Sequence, residues 1–370
     1  MTNYFLINFF SATNRQVLLT TFVLFFSNQL LEFILLLLFN FSYSMLCSWD
    51  CIWYSGIVSH SYDSAPHIFD NFPKGDVANW AFFPLLPISA WFLQQIIGIT
   101  SSSYSVLITS KLFFALSIFS FIKFGLAYYP KLNPWILGFV VSLNPYVIYA
   151  NSGYTESAFL FFSCLFFYFF KKEYFLLAGI VGGFLSAVRL AGIFAVFAII
   201  PRTIAQFQKN SGDSKINLIL MILLMPLGLS LFMTYLYWLC GDALAFMHIQ
   251  KAWGREIQFP WIVLSYEVLS GNPHRLYWAL LSVFSLAIAC YFLWQKNWEL
   301  GLFLALNTII PITTSLASMP RYIFWQAPFL LFLGILLSQK SYYWMIAAPF
   351  FIVGIAYLYY FWPTGLNWVI

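Results

Sequence analysis

The chain has 370 residues, of which 62% are hydrophobic, 22% aromatic and only 8% charged. A soluble globular protein carries roughly a quarter of charged residues, so this composition excludes a soluble domain. The net charge of +5 comes from basic residues scattered at the ends of apolar runs, which indicates membrane orientation and excludes a nucleic-acid-binding patch.

Apolar runs recur along the chain at the length that a helix needs to cross a bilayer, and short polar breaks separate them. We therefore predict an all-α fold, a polytopic transmembrane helix bundle that forms a single integral-membrane domain over residues 1–370. Ten or eleven spans are expected, near 17–39, 82–99, 104–128, 134–150, 157–170, 174–200, 216–239, 276–294, 300–317, 322–337 and 344–361. The run 174–200 is long for one crossing, and Gly182, Gly183 and Arg189 predict a break in it.

The first run, 17–39, is too long for the apolar part of a signal peptide, so we expect an uncleaved anchor. Glu32 lies within it and must be neutral or paired at membrane depth. Because Arg15 precedes this run and acidic residues follow it, the N-terminus is expected in the cytoplasm and the first loop, residues 41–80, outside. Lys111 and Lys123 are expected to extend towards the membrane surface.

The orientation of residues 156–172 is a further prediction. The positive-inside rule places Lys171 and Lys172 in the cytoplasm and Glu156 outside, whereas one crossing for every apolar run gives the opposite. An unusual crossing in the 78–133 or 174–200 region would resolve the conflict.

The first loop contains four of the twelve acidic residues, namely Asp50, Asp63, Asp70 and Asp76. Trp49, Trp53 and Ile57 recur at i, i+4 and i+8, which predicts a short helix near residues 49–59 lying on the membrane surface. Pro66 and Pro73 end regular structure after it. Cys47 and Cys51 are four apart in this expected helix, a spacing that suits a bridge poorly, so we expect both to be unpaired.

The second long loop, residues 240–275, contains another expected surface helix. Asp242 and Gly254 are residues that favour its N-cap and C-cap, respectively. His248, Lys251 and Arg255 would form a basic stripe on one side. Such a stripe binds anionic lipid headgroups or the phosphate of a substrate, and the sequence favours neither.

Six short motifs in order resemble those of the PIG-V family, which comprises GPI mannosyltransferase II and its bacterial relatives. They are WDCIWY at 49–54 with Tyr62, FFPLLP at 82–87, GYTES at 153–157, residues 186–192, GDALAF at 241–246 with Gln250 and WGR at 253–255, and MPRY at 319–322. Cys51 and Ala243 depart from the glycine and proline usual there, which affects loop shape more than chemistry.

The resemblance implies a GT-C-type glycosyltransferase with a polyprenyl-phosphate-linked sugar as donor, the sugar being mannose, and a lipid or glycolipid as acceptor. It implies a multi-pass protein of the bacterial inner membrane with its active site facing the periplasm, or of the endoplasmic reticulum facing the lumen in a eukaryote. No cofactor is expected. No HExxH, CxxC or DxD pattern calls for a metal.

The residues themselves are consistent with this chemistry, because sugar transfer needs a base for the acceptor hydroxyl and cations for the leaving phosphate. Asp50 is the candidate base and Glu156 a second catalytic carboxylate, although either could simply cap a helix. Arg189 binds phosphate or forms a structural ion pair with Glu156 or Glu32. The candidate substrate-binding residues are Trp49, Tyr54, Asp63, Tyr154, Arg189, His248, Gln250, Lys251, Trp253, Arg255 and Arg321.

A transporter or flippase of a lipid-linked sugar is the alternative function, since it also places charges in a membrane cavity. Transporters commonly show internal repeats, and the sequence contains no convincing one. A purely structural membrane scaffold leaves Asp50, Arg189 and Arg321 unexplained.

Overall fold

The computed structural model describes residues 12–67, 76–209, 211–340 and 342–365. Asp70 and Pro73 lie outside these ranges. Within them the backbone is almost entirely helical, and the β pairing consists of one isolated bridge between His67 and Val77. The predicted all-α class is therefore confirmed.

The helices are numbered in chain order. They are α1 Ala12–Leu38, α2 Asp50–His60, α3 Leu85–Ile97, α4 Ser102–Tyr128, α5 Pro134–Ser142, α6 Ile148–Asn151, α7 Glu156–Lys171, α8 Phe175–Val188, α9 Phe194–Lys209, α10 Asp213–Leu224, α11 Leu227–Cys240, α12 Ala245–His248, α13 Pro260–Leu269, α14 Pro273–Trp294, α15 Trp298–Ile312, α16 Met319–Phe324, α17 Ala327–Leu337 and α18 Tyr343–Phe361. Short 3₁₀ turns occupy Tyr43–Leu46, Asn79–Ala81, Leu190–Ile193, Ile249–Trp253 and Trp362–Thr364.

Six helical stretches of the described chain are long and apolar enough to cross a membrane, as expected for a multi-pass membrane protein. They are Asn14–Leu38, Ser102–Tyr128, Leu190–Lys209, Asp213–Cys240, Pro273–Trp294 and Tyr343–Thr364. Other apolar helices are shorter, among them α3, α8, α13, α15 and α17. The predicted runs are thus helical, but many are too short to span a bilayer alone.

The predicted break in the run 174–200 is confirmed, and Arg189 marks it. Helix α8 ends at Val188, and Arg189 has an extended backbone before the chain turns into α9. Gly182 and Gly183 lie within α8 and do not divide it, contrary to the prediction. They allow close packing instead, since a Cβ on Gly183 would lie 2.9 Å from the Leu224 carbonyl oxygen.

A buried polar network joins α1 to the rest of the bundle. The Lys111 ammonium binds the Glu32 carboxylate, and the Tyr359 hydroxyl donates to the same carboxylate at 2.8 Å. Of the two predicted states of Glu32, neutral or paired, the structure shows the paired one. Lys111 does not extend to the membrane surface, because this carboxylate and the Gln29 side-chain oxygen, at 2.7 Å, hold its ammonium inside.

Helix α7 packs along α4, and its two ends serve below as reference points for the two ends of the molecule. Its sixteen residues correspond to a length of about 24 Å. We call the end at Glu156 the front and the end at Lys171 the rear. The chain segments with the recognised motifs meet at the front.

Candidate active site

Asp50 stands at the first position of α2, directly after a turn that holds its backbone in place. The Ser48 carbonyl accepts a hydrogen bond from the Cys51 N–H at 3.2 Å across this turn. Trp49 lies at its centre with φ 57° and ψ −116°, a conformation that glycine favours. A non-glycine residue there costs on the order of 1–3 kcal/mol, and such strain is concentrated at functional sites.

The two cysteines that flank this turn form a disulfide, which corrects the expectation that both are unpaired. Cys47 does not belong to the helix, because the chain reaches it from the 3₁₀ turn Tyr43–Leu46 and α2 begins only at Asp50. The two Cα atoms are therefore 5.0 Å apart, within the range for a bridge. Trp49 and Asp50 are enclosed in the resulting ring.

Gly153 brings the turn before α7 against this disulfide. Its φ is +76°, and a Cβ built on it would lie 2.5 Å from the Cys51 sulfur, so only glycine fits here. The following residue, Tyr154, accepts a hydrogen bond on its hydroxyl oxygen from the Asp50 N–H at 3.4 Å. The two carboxylate-bearing segments are thus fixed to each other.

Glu156 occupies the first turn of α7, and its side chain is 1% exposed. Arg189, at the break after α8, places Nη2 3.0 Å from Glu156 Oε1 and also donates to the Thr155 hydroxyl. The predicted ion pair of Arg189 with Glu156 is confirmed. A phosphate-binding role for Arg189 stays a prediction.

Arg321 connects the two acids. Its Nη1 lies 3.0 Å from Asp50 Oδ2, and its Nε lies 3.8 Å from Glu156 Oε1. Burial lowers the pKa of the guanidinium, but Asp50 first and then Tyr322 and Glu156 outweigh burial and hold it well above its ordinary value. Arg321 therefore stays charged. Together Asp50, Glu156, Arg189 and Arg321 form what we call the Asp50 centre.

The Asp50 centre is not saturated with hydrogen bonds. Trp49 Nε1, Glu156 Oε2 and Arg321 Nε are buried and make no hydrogen bond within the described part of the chain. Buried polar atoms in proteins are normally paired, so each exception requires an explanation. Three such atoms in a cluster of two acids and two arginines indicate a place for a polar ligand.

Tyr322 belongs to this centre and was missed as a site residue, although the MPRY motif contains it. Its ring lies 5.1 Å from the Arg321 Cζ and 5.6 Å from the Arg189 Cζ. Burial alone raises the pKa of its hydroxyl. The charges of Arg321, Arg255 and Arg189 outweigh burial and lower the pKa from 10.0 to about 8, while Asp50 opposes them. Arg321 is the preceding residue, but Arg255 and Arg189 come from distant parts of the chain, so the sequence alone does not show that three arginines meet at Tyr322.

Other tyrosines form a buried shell around Arg321. The Arg321 Cζ lies 5.0 Å from the centre of the Tyr154 ring and 5.4 Å from that of Tyr149. Burial, reinforced by the charge of Asp50, raises the pKa of Tyr54 and of Tyr154. Their hydroxyls therefore remain protonated and can serve as hydrogen-bond donors to a ligand.

The second loop reaches the first through aromatic rings. The Trp253 ring centroid is 5.9 Å from that of Trp53 and 6.2 Å from that of Phe82. Gly254 has φ +68° and ends the preceding turn, as predicted. Gln250 Oε1 accepts a hydrogen bond from Arg255 Nη1 at 2.9 Å.

The expected basic stripe is not continuous, because residues 249–253 form a 3₁₀ turn with three residues per turn instead of an α-helix. His248 Nδ1 lies 2.7 Å from Asp242 Oδ2, and this hydrogen bond lowers the pKa of the Asp242 carboxyl. Lys251 is exposed. Of the three stripe residues, Arg255 alone contributes to the electrostatics of Tyr322.

Asp63 has partners within the first loop. Its carboxylate accepts from the Asn79 N–H at 2.9 Å and faces His67 Nε2 at 3.2 Å, while its carbonyl accepts from Trp80 Nε1 at 2.6 Å. These bonds tie the two ends of the loop together. In the described residues, no group of three or more His, Cys, Asp or Glu side chains is placed to hold a metal ion.

The sequence matches no protein-family model, and no curated protein matches it. The structure is similar to that of the Archaeoglobus fulgidus oligosaccharyltransferase in complex with zinc and sulfate, at 14% identity and a TM-score of 0.46, covering 85% of this chain and 48% of that one. For the same enzyme tethered to an acceptor peptide, the identity is 12% and the TM-score 0.47, and the match covers 85% of this chain and 50% of that one. For the archaeal oligosaccharyltransferase AglB from Archaeoglobus fulgidus, in complex with an inhibitory peptide and a dolichol-phosphate, the identity is 13% and the TM-score 0.43. That match covers 88% of this chain and 51% of that one. This chain spans about half the length of these enzymes, and its function is argued below from its own residues.

Proposed function

We propose that the protein is a GT-C-type membrane glycosyltransferase of the PIG-V kind. It transfers a sugar, mannose, from a polyprenyl-phosphate donor to a lipid or glycolipid acceptor at the extracytoplasmic face. The observation that carries the proposal is the position of Arg321, whose guanidinium lies between Asp50 and Glu156. Four segments that resemble family motifs, around residues 50, 156, 189 and 321, supply this one cluster.

The charges of the centre suit a donor with a single negative charge. Asp50 and Glu156 carry two negative charges, and Arg189 and Arg321 balance them. Arg255 acts on Tyr322 from the second loop and leaves an excess of one positive charge. A phosphodiester between a lipid and a sugar carries one negative charge, and the planar guanidinium group can bind two of its oxygens at once.

In the proposed reaction Asp50 is the general base. Its side chain is 29% exposed, so an acceptor hydroxyl can reach it, whereas Glu156 is buried. Asp50 takes the hydroxyl proton while the acceptor oxygen bonds to the anomeric carbon. The bond between that carbon and the phosphate oxygen breaks, and polyprenyl phosphate leaves with the electron pair. Arg321 contacts the base and stabilises the leaving phosphate, and Glu156 orients the two arginines.

The disulfide supports the extracytoplasmic placement of the site, because such bonds form and persist in oxidising compartments. Cys47 and Cys51 enclose Asp50, so the base itself lies on the oxidised side of the membrane in this proposal.

The test is in vitro transfer from polyprenyl-phosphate-mannose to a panel of lipid acceptors by the purified protein. We expect transfer by the wild type and a loss of about 10²- to 10⁴-fold in Asp50→Asn, which keeps the shape of the side chain but cannot take the proton. Asp76→Asn, a change of the same kind at an exposed position of the same loop, serves as the matched control and should stay within a few-fold. Equal activity of wild type and Asp50→Asn would exclude Asp50 as the base. Donor binding and translocation without transfer would favour the flippase.

A further inference from the structure

A cleft separate from the Asp50 centre opens between the end of α13, the start of α14 and the segment 313–317. Its volume is about 320 Å³, at the lower end of the range for small-ligand pockets. Its walls include Glu267, Asn272, Arg275, Trp278, Ser315 and Ala317. A groove of about 310 Å³ adjoins it on the other side of Arg275, with Tyr266 in its wall. Each space is suited to a ligand of about one sugar ring.

The cleft contains an ion pair with unused hydrogen-bonding capacity. Arg275 Nε lies 3.5 Å from Glu267 Oε2, yet this oxygen makes no hydrogen bond to the described residues. The Glu267 side chain is 12% exposed. That oxygen is buried, but the carboxylate and the guanidinium both keep an exposed part, at 12% and 39% exposure, so one ligand hydroxyl in the cleft can donate to the first and accept from the second.

The balance of charge distinguishes this cleft from the Asp50 centre. Glu267 and Arg275 neutralise each other, and His274 also lines the cleft. A neutral cleft does not favour a phosphate. The half-buried indole of Trp278 provides an apolar face on which the C–H groups of a sugar can pack.

The cleft adjoins the Asp50 centre through a short stretch of chain. Ala317 lines the cleft, and Arg321 follows it by four residues after a turn at Ser318, whose φ is +71°. The second loop is fastened to the same stretch, since the Gln258 N–H donates to the Thr313 carbonyl at 2.7 Å. A headgroup held in the cleft would thus contact the stretch of chain that leads into Arg321, which itself binds the proposed base.

We propose that this cleft binds the sugar headgroup of the acceptor, so that the acceptor is a glycolipid whose uncharged rings contact Trp278, Glu267 and Arg275. This proposal rests on the proposed transferase function for its biological meaning. The binding of sugar itself does not depend on catalysis and can be measured separately.

The first measurement is saturation-transfer-difference NMR of the detergent-solubilised full chain with methyl mannopyranoside and other methyl hexopyranosides. We expect a signal from at least one glycoside with the wild type and Trp278→Tyr, which keeps an aromatic face, and its loss in Trp278→Ala. Trp261→Ala is the matched control, since Trp261 is 65% exposed and lies outside the cleft walls. No glycoside signal with the wild type, or an unchanged signal in Trp278→Ala, would overturn the proposal whether or not transfer occurs.

The second measurement uses the transfer assay. Glu267→Gln should raise the KM for a glycolipid acceptor about tenfold, the effect of one lost charged hydrogen bond, and leave the KM for the donor within twofold. Trp278→Ala should have a similar effect on the acceptor KM, because it removes the aromatic face on which the sugar packs, and should also leave the donor KM within twofold. Equal increases in both constants, or none, would refute an acceptor site. Sugar binding without any transfer would retain the cleft as a sugar site and reject the transferase.

Discussion

The front and the rear of α7 each contain a buried glutamate paired with an arginine, but the two clusters differ in how completely they are bonded. At the rear, Glu299 Oε1 accepts from Arg202 Nη1 at 2.5 Å and from the Tyr128 hydroxyl at 2.9 Å, and Lys171 lies over the Tyr128 ring. At the front, Glu156 Oε1 faces two arginines while Oε2 makes no hydrogen bond in the described chain.

The difference separates a structural ion pair from a candidate site. Glu156 and Glu299 are about equally buried, at 1% and 2% exposure, so burial alone does not distinguish them. What distinguishes them is the buried oxygen of Glu156 that makes no hydrogen bond in the described chain and the strained backbone of Trp49 beside it. A buried charge pair in a membrane protein is therefore insufficient evidence for chemistry. Unsatisfied atoms and strain add the missing information.

Matched substitutions of Glu156 and Glu299 should give the largest difference between the front and the rear. We expect Glu156→Gln to lower transfer at least about a hundredfold in folded protein, because Arg189 and Arg321 lose the charge that orients them. Glu299→Gln should leave the specific activity unchanged and lower the free energy of unfolding by about 3 kcal/mol, since it weakens the partner of a buried pair. Transfer rates and thermal melting of both purified variants measure this. Loss of transfer in a Glu299→Gln variant that is fully folded at the assay temperature would contradict the assignment of Glu299 to a purely structural role.

Conservative substitutions of the basic residues at the front should show whether they bind the donor phosphate. Arg321→Lys keeps the charge but cannot bind two phosphate oxygens in one plane, so the donor KM should rise about tenfold. Lys251→Arg, on the exposed turn of the second loop, should leave that constant within twofold. Kinetics at saturating acceptor measure both. An unchanged donor KM in Arg321→Lys and in Arg189→Lys would end the phosphate assignment.

The pKa of Tyr322 predicts the smallest of these effects, a dependence of donor binding on pH. Above its pKa of about 8 the hydroxyl ionises and repels the donor phosphate. Since the complex needs a proton that the free protein has lost, the donor KM should rise with pH above 8, by at most tenfold per unit. Tyr322→Phe should remove this rise and Tyr149→Phe should keep it. The same profile in Tyr322→Phe and in wild type would assign the dependence to another group.

The sequence predicted the helical class, the helix after Trp49 and the break at Arg189, because each depends on local composition or on a charge that cannot lie in lipid. It could not predict the partner of Lys111, since Glu32 lies 79 residues away and only packing brings it near. The disulfide was missed for a related reason: a difference of three residues in where the helix begins decides whether Cys47 can face Cys51.

Within the candidate site, the motifs predicted which residues are candidates, but not how these residues meet. Asp50, Glu156, Arg189 and Arg321 were each proposed from the sequence, whereas the bridge that Arg321 makes between the two acids depends on the fold. Tyr322 depends on it too, because its neighbours come from three different segments. The interpretation of Asp63 as a substrate contact remains a prediction, and its present bonds are those of a loop clasp.

The disulfide around Asp50 sets an order of events in the maturation of the protein. A chain emerging from the ribosome is reduced, and the ring that holds Trp49 in its strained turn closes only after the first loop meets an oxidant. With the first loop on the extracytoplasmic face, as proposed above, membrane insertion precedes assembly of the site. A precursor still on the reducing side of the membrane lacks this clamp, and recombinant production in a host with a compromised oxidative pathway would yield inserted protein with an incompletely ordered first loop.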